Sequence, residues 1–212
     1  MKTVKQIEST RKTYHKDPTL NTIHRSSLLV PEMPNTAAEI SFINHFLLKR
    51  QYSNVACKIT AIDTNGKKIK SKLHKIDKPI VYNFKLTGMV TDPVSNYMVE
   101  FFAPDNMFIP FPAVMINHRG KNFINQVHAF NRVLNDVFED DDINSHQVKE
   151  ASIDLVVNED TDTFLLFTTG PLPCKDSLEI EVITPNQSMV KKFDIDLPRF
   201  GVKRVEFKKL FE

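Results

Sequence analysis

Glycine, cysteine and tryptophan are scarce in this chain: 5, 2 and 0 in 212 residues. So few glycines leave little material for backbone loops that cradle phosphate, and no Walker loop or GxGxxG follows a strand-like run. A GxSxG nucleophile elbow is also missing. Cys57 and Cys174 lie far apart and neither has CxxC spacing, so both are expected to be reduced thiols. No stretch reaches the roughly 18 to 20 apolar residues of a membrane span. The opening MKTVKQIESTRKTYHKD has no apolar core for a signal peptide. A soluble, cytoplasmic protein is the expectation. Charge of one sign is lacking too: the net charge of +2 is too mild to imply nucleic acid as a partner.

What the sequence does have is a strand pattern written twice at one offset. Val55, Cys57 and Ile59 alternate with Ala56, Lys58 and Thr60; moved by 123 they fall on Leu178, Ile180 and Val182. Tyr82 and Phe84 move onto Val205 and Phe207, and Asp63 onto Asn186, a turn residue onto a turn residue. The shared offset predicts a mainly-β protein of two related antiparallel β-sandwich units, an internal duplication with one short helix between them.

Residues 1–24 are read as a mobile basic arm, since their apolar residues show no sustained period. The first unit is expected over 25–123. Its runs RSSLLVPEMPN, AEISFINHFLL, PIVYNFKL, NYMVEFFAP and AVMINH are short and separated by turn residues, as in a sandwich. Asn65-Gly66 is the strongest hairpin-turn signal, because both residues tolerate positive φ. Ile124, Val127, Phe130, Leu134, Val137 and Phe138 recur at helical spacing, which predicts a helix over 124–138. The acids Glu139 to Asp142 follow, in a linker running to residue 148. The second, smaller unit is expected over 149–212, packed on the first. Its strand-like runs are SIDLVVNED, TFLLFTTG, SLEIEVIT, SMVKKFDIDL and VKRVEFKKL.

Residues able to carry chemistry gather between 104 and 132. Phe108 and Phe111 offer apolar contact; His118, Arg119, His128, Asn131 and Arg132 offer hydrogen bonds. Apolar walls with a few convergent polar groups make a ligand pocket. The plainer reading makes these histidines structural and these arginines surface groups. No metal site is expected: the His118–His128 spacing fits no common zinc pattern, and His24 and His45 lack an evident third ligand. The run from Asp140 is not an EF-hand, having Ser145 at its sixth position and Ala151 at its twelfth. No cofactor is expected.

The stretch FINHFLLKRQYSNVACKITAIDTNGKKIKSKLHKIDKPIVYNFKL, then YMVEFFAPDN and AVMINHRG, resembles the sensory-rhodopsin-transducer type of small β-sandwich. The resemblance covers residues 38–120, with Asn117, His118 and Arg119 where that family has a histidine followed by a basic residue. It implies a soluble, oligomeric binding or transducer domain rather than an enzyme. The helix candidate and the second unit depart from its pattern, and no rhodopsin partner carries over.

Three functions are therefore open. The first is a non-catalytic binding or adaptor protein, homo-oligomeric, recognising a ligand such as a saccharide, or a partner protein, through 104–132. The second is a structural subunit of a larger assembly. The third is an enzyme using His118 or His128 as general base.

Overall fold

The computed structural model describes residues 24–103, 113–129, 160–170 and 172–210. It is mainly β. Strands β1 (His24–Pro31), β2 (Ala37–Ile43), β3 (Val55–Ile62), β4 (Lys68–Ile76), β5 (Val81–Lys85), β6 (Asn96–Ala103), β7 (Val114–Arg119) and β8 (Ile124–Ala129) form two antiparallel sheets. Their orders are β1-β6-β3-β4 and β5-β2-β7-β8.

Side chains alternate along a strand, so each strand sends every second residue to one face. Val30, Cys57, Ile59, Val99 and Phe101 from one sheet meet Ala38, Ile40, Phe42, Val114 and Ile116 from the other in one buried core. The Phe42 and Phe101 rings meet edge to face at 5.1 Å, a favoured aromatic geometry. The sandwich-like first unit expected from the sequence thus follows from its alternation. The Cys57 thiol sits in this core, where burial pushes its pKa up, with Glu100 adding to the effect.

The AEISFINHFLL run is not one strand. After Ile43 it turns into a helix, α1 (His45–Arg50), capped by Asn44, whose Oδ1 accepts from the Leu47 amide at 3.1 Å. The expected β3–β4 hairpin is present. Asp63 Oδ1 accepts from the Asn65 and Lys67 amides, both at 2.8 Å, and Gly66 takes φ +75°.

The helix expected over 124–138 is corrected in its described part. Residues 124–129 are β8, which pairs along its whole length with β7, Ile116 opposite Val127. Residues 130–138 lie outside the described residues, as do the 1–23 part of the arm, the acidic run and SIDLVVNED up to residue 159.

In the second half, β9 (Phe164–Thr168) pairs with β12 (Val202–Glu206), and β10 (Cys174–Ile183) with β11 (Ser188–Leu197). Val205, Phe207 and Leu210 are buried here, with Leu165, Ile180, Val182 and Phe193 packed on them. The offset of 123 carries the pair Phe42↔Tyr82 onto Leu165↔Val205, which is also a pair. It carries Cys57↔His74 onto Ile180↔Leu197, which is not: Ile180 faces Lys191 and Leu197 faces Cys174. The β2–β5 pair keeps the offset and the hairpins do not, so the geometry leaves the duplication unestablished.

The halves meet on the face of the first sheet turned away from its core. Phe200 is buried there among Leu29, Ile62 and Met98. Its carbonyl accepts a hydrogen bond from the Asn96 side chain.

Candidate functional site

Of the seven residues singled out in the sequence, Phe108, Phe111, Asn131 and Arg132 lie outside the described residues. The other three stand on β7 and β8, and they do not converge. Register places Asn117 opposite Gln126, and their side chains share a face: Gln126 Nε2 donates to Asn117 Oδ1 at 2.8 Å. By alternation His128 stands on that outer face and His118 on the opposite, core-facing side. His118 is buried, with Nε2 2.8 Å from the Pro31 carbonyl. A carbonyl only accepts, so Nε2 carries the proton and the ring ties β7 to the end of β1. β7 lies between β2 and β8, so His118 closes an inner strand rather than an edge strand. His118 and His128 therefore cannot serve one pocket.

Arg119 is on the outer face with Asn117. Its guanidinium donates to Glu39 Oε1 at 2.8 Å, and Glu39 is buried against the sheet. Asn117 Nδ2 donates to Ser41 Oγ at 3.1 Å. Ser41, Asn117 and Gln126 thus form a polar ladder across β2, β7 and β8. Beside it the β7–β8 turn closes with Gly120 N donating to the Phe123 carbonyl at 2.9 Å. The Phe123 ring lies over Gly120, where a Cβ would stand 2.2 Å from a ring carbon, so any larger residue there would displace the ring. Phe123 and Ile124 are 55% and 52% exposed. An apolar fringe therefore borders the ladder.

Two further groupings have no clear signal in the sequence. At one end of the sandwich, Tyr97 OH donates to Glu32 Oε1 at 2.6 Å and Thr87 Oγ1 donates to the same atom at 3.1 Å. Burial and the adjoining Glu32 push the Tyr97 phenol up, so it is a poor proton donor in catalysis and a good structural one. Nothing in the spacing of 32, 87 and 97 announces this cluster. At the side of the sandwich, the His74 ring stacks on Phe84 at 4.2 Å, joining β4 of one sheet to β5 of the other. The flanking lysines of β4 are legible in GKKIKSKLHK, but the ring partner of His74 is not.

Burial first, and the Lys72 cation second, hold the His74 imidazole below its usual pKa. The folded state therefore favours the neutral ring. Stability from this group is complete above the unfolded value, about 6.5, and is lost as pH falls through that value towards the depressed folded one. Thermal melts from pH 7.5 to 5.5 are expected to show a falling melting temperature that His74→Gln flattens. An unchanged slope in that variant would remove His74 from the cause.

Among the described residues, no three His, Cys, Asp or Glu side chains are grouped to hold a metal ion. Also among them, no helix is long and apolar enough to cross a membrane. Compared with known protein families, with curated proteins and with solved structures, the chain matches none.

Proposed function

We propose that this chain is a non-catalytic binding or adaptor protein that recognises its ligand or partner protein through the outer face of β7 and β8. The observation that carries the reading is the ladder Ser41–Asn117–Gln126 bordered by exposed Phe123 and Ile124. Amide groups fixed by one another keep spare donors and acceptors in a set geometry, and the apolar fringe supplies contact area. A saccharide fits this mixture, as does a partner's polar rim. The resemblance of residues 38–120 to a transducer-type sandwich supports the same class.

A structural subunit is the second reading, favoured by β8, which ends its sheet among the described residues. β8 reads INQVHA, without Lys, Arg, Asp, Glu or Pro, whereas β1, β4 and β5 each carry at least one. Edges lacking such residues are prone to pair with another strand. In that reading the homo-oligomer forms through β8.

A thermal-shift screen against saccharides, nucleotides and divalent metals distinguishes them. A binding protein is expected to gain stability from one ligand class, about 2.7 kcal/mol at a hundred times Kd. Gln126→Ala, at an exposed position, is expected to abolish that gain while melting almost normally without ligand. No shift with any ligand, in a protein that elutes as a large oligomer, would sink the binding reading and favour the structural one.

A further inference from the structure

We propose that the outer edge of β4 takes an acidic, extended peptide segment of a partner protein as an added antiparallel strand. This proposal is independent of the β7–β8 face.

β4 ends its sheet, with β3 as its sheet neighbour among the described residues. An end strand turns a row of backbone N–H and C=O groups outward, the template for strand addition. The side chains then decide what can add. Lys70 and Lys72, opposite Ala61 and Ile59 of β3, share one face of β4. Lys75 and Leu73, opposite Ala56 and Lys58, share the other. Lys70, Lys72 and Lys75 are exposed, and Leu73 is 69% exposed. Lys68 opens the strand, Lys67 and Lys78 flank it, and Asp77, bonded to Lys75 at 3.0 Å, is the sole acid from Gly66 to Lys78.

Like charges directly opposite one another on paired strands are destabilising and opposite charges stabilising. A second β4 would set lysine against lysine, so this edge rejects its own copy. A strand with Asp or Glu two residues apart would set carboxylates opposite Lys70 and Lys72. An apolar residue one place beyond them would fall opposite Leu73. Charge complementarity thus selects an acidic strand, and the exposed leucine selects a peptide over a bare polyanion.

The probe is a fluorescent peptide of about eight residues, a usual strand length, alternating Glu and Val. Its binding to the full chain is followed by anisotropy. Two controls are the same peptide with alternate backbone nitrogens methylated and an oligothymidylate of equal charge. Binding of the plain peptide is expected, with slowed amide exchange over residues 69–75. Lys70→Glu/Lys72→Glu is expected to weaken it at least about tenfold, as two charge pairs turn repulsive. If that variant melts early, Lys70→Gln/Lys72→Gln replaces it, with a smaller loss expected. Failure of the plain peptide to bind, equal binding of the methylated peptide, or equal or tighter binding of the oligothymidylate would each overturn the proposal. So would unchanged affinity in the lysine variants.

Discussion

Phe200→Ala is expected to cost about 3–5 kcal/mol, the range for emptying a buried phenylalanine site. The ring is 1% exposed and fills the hollow made by Leu29, Ile62 and Met98. These three come from β1, β3 and β6, while Phe200 comes from the loop between β11 and β12. Its removal therefore strips the first half of a plug held by the second. Backbone geometry sharpens the point. Phe200 takes φ +55°, a region that bulky residues rarely occupy, and its carbonyl is held by buried Asn96. Such a conformation persists only where its surroundings enforce it. Urea unfolding of the variant should show the lower midpoint. Phe200→Leu, which keeps most of the apolar volume, should lose markedly less. Equal losses in both would mean that the hollow does not recognise shape.

Gly66→Ala is expected to be the next most damaging change, at about 3 kcal/mol, from an unfavourable left-handed backbone and a steric clash. Gly66 sits at φ +75° in the β3–β4 turn. A Cβ there would stand 2.0 Å from the Arg199 carbonyl oxygen. Backbone cannot swing aside as a flexible side chain does, so either the turn or the Arg199 loop must move. Gly88 separates the two causes. It has φ +85°, and a Cβ added there would meet nothing within 4 Å, so Gly88→Ala reports the backbone cost alone. Thermal denaturation should place Gly66→Ala clearly below Gly88→Ala. Coincident melts would mean that the approach to Arg199 is unimportant.

Much of the strand content is legible in the sequence, because a strand with one buried face must alternate. β3 shows this: Cys57 and Ile59 are in the core, with Lys58 between them on the far face. The β3–β4 turn is legible because Gly66 supplies the positive φ it needs. β8 reads as a helix for a physical reason. Among the described residues it ends its sheet, and Ile124 and Val127 lie on its opposite faces, both about half exposed. With neither face fully buried, nothing forces alternation, and a three-residue spacing imitates a helix. α1 is hidden because six residues are too few to set up a helical period, and its cap signal, Asn44, is a single residue.

The candidate site is legible in place more than in detail. His118, Arg119 and His128 lie on neighbouring strands, as a hairpin requires, but on different faces. The partners that fix Asn117 and Arg119 are Ser41 and Glu39, 76 and 80 residues earlier. Local patterns carry no information about such contacts. The lysines of β4 are the contrary case: their positions are written in the sequence, and their meaning depends on β4 being at the end of a sheet.

The Phe200 contact also sets an order of events when the chain is made. Leu29, Ile62 and Met98 belong to the part of the chain made first, and their cover arrives about a hundred residues after Met98. At roughly 5–20 residues per second, this apolar hollow waits on the order of 5–20 seconds for its cover while the ribosome works. A chaperone that shields nascent chains would have its natural landing site there, and would be displaced once Phe200 emerges.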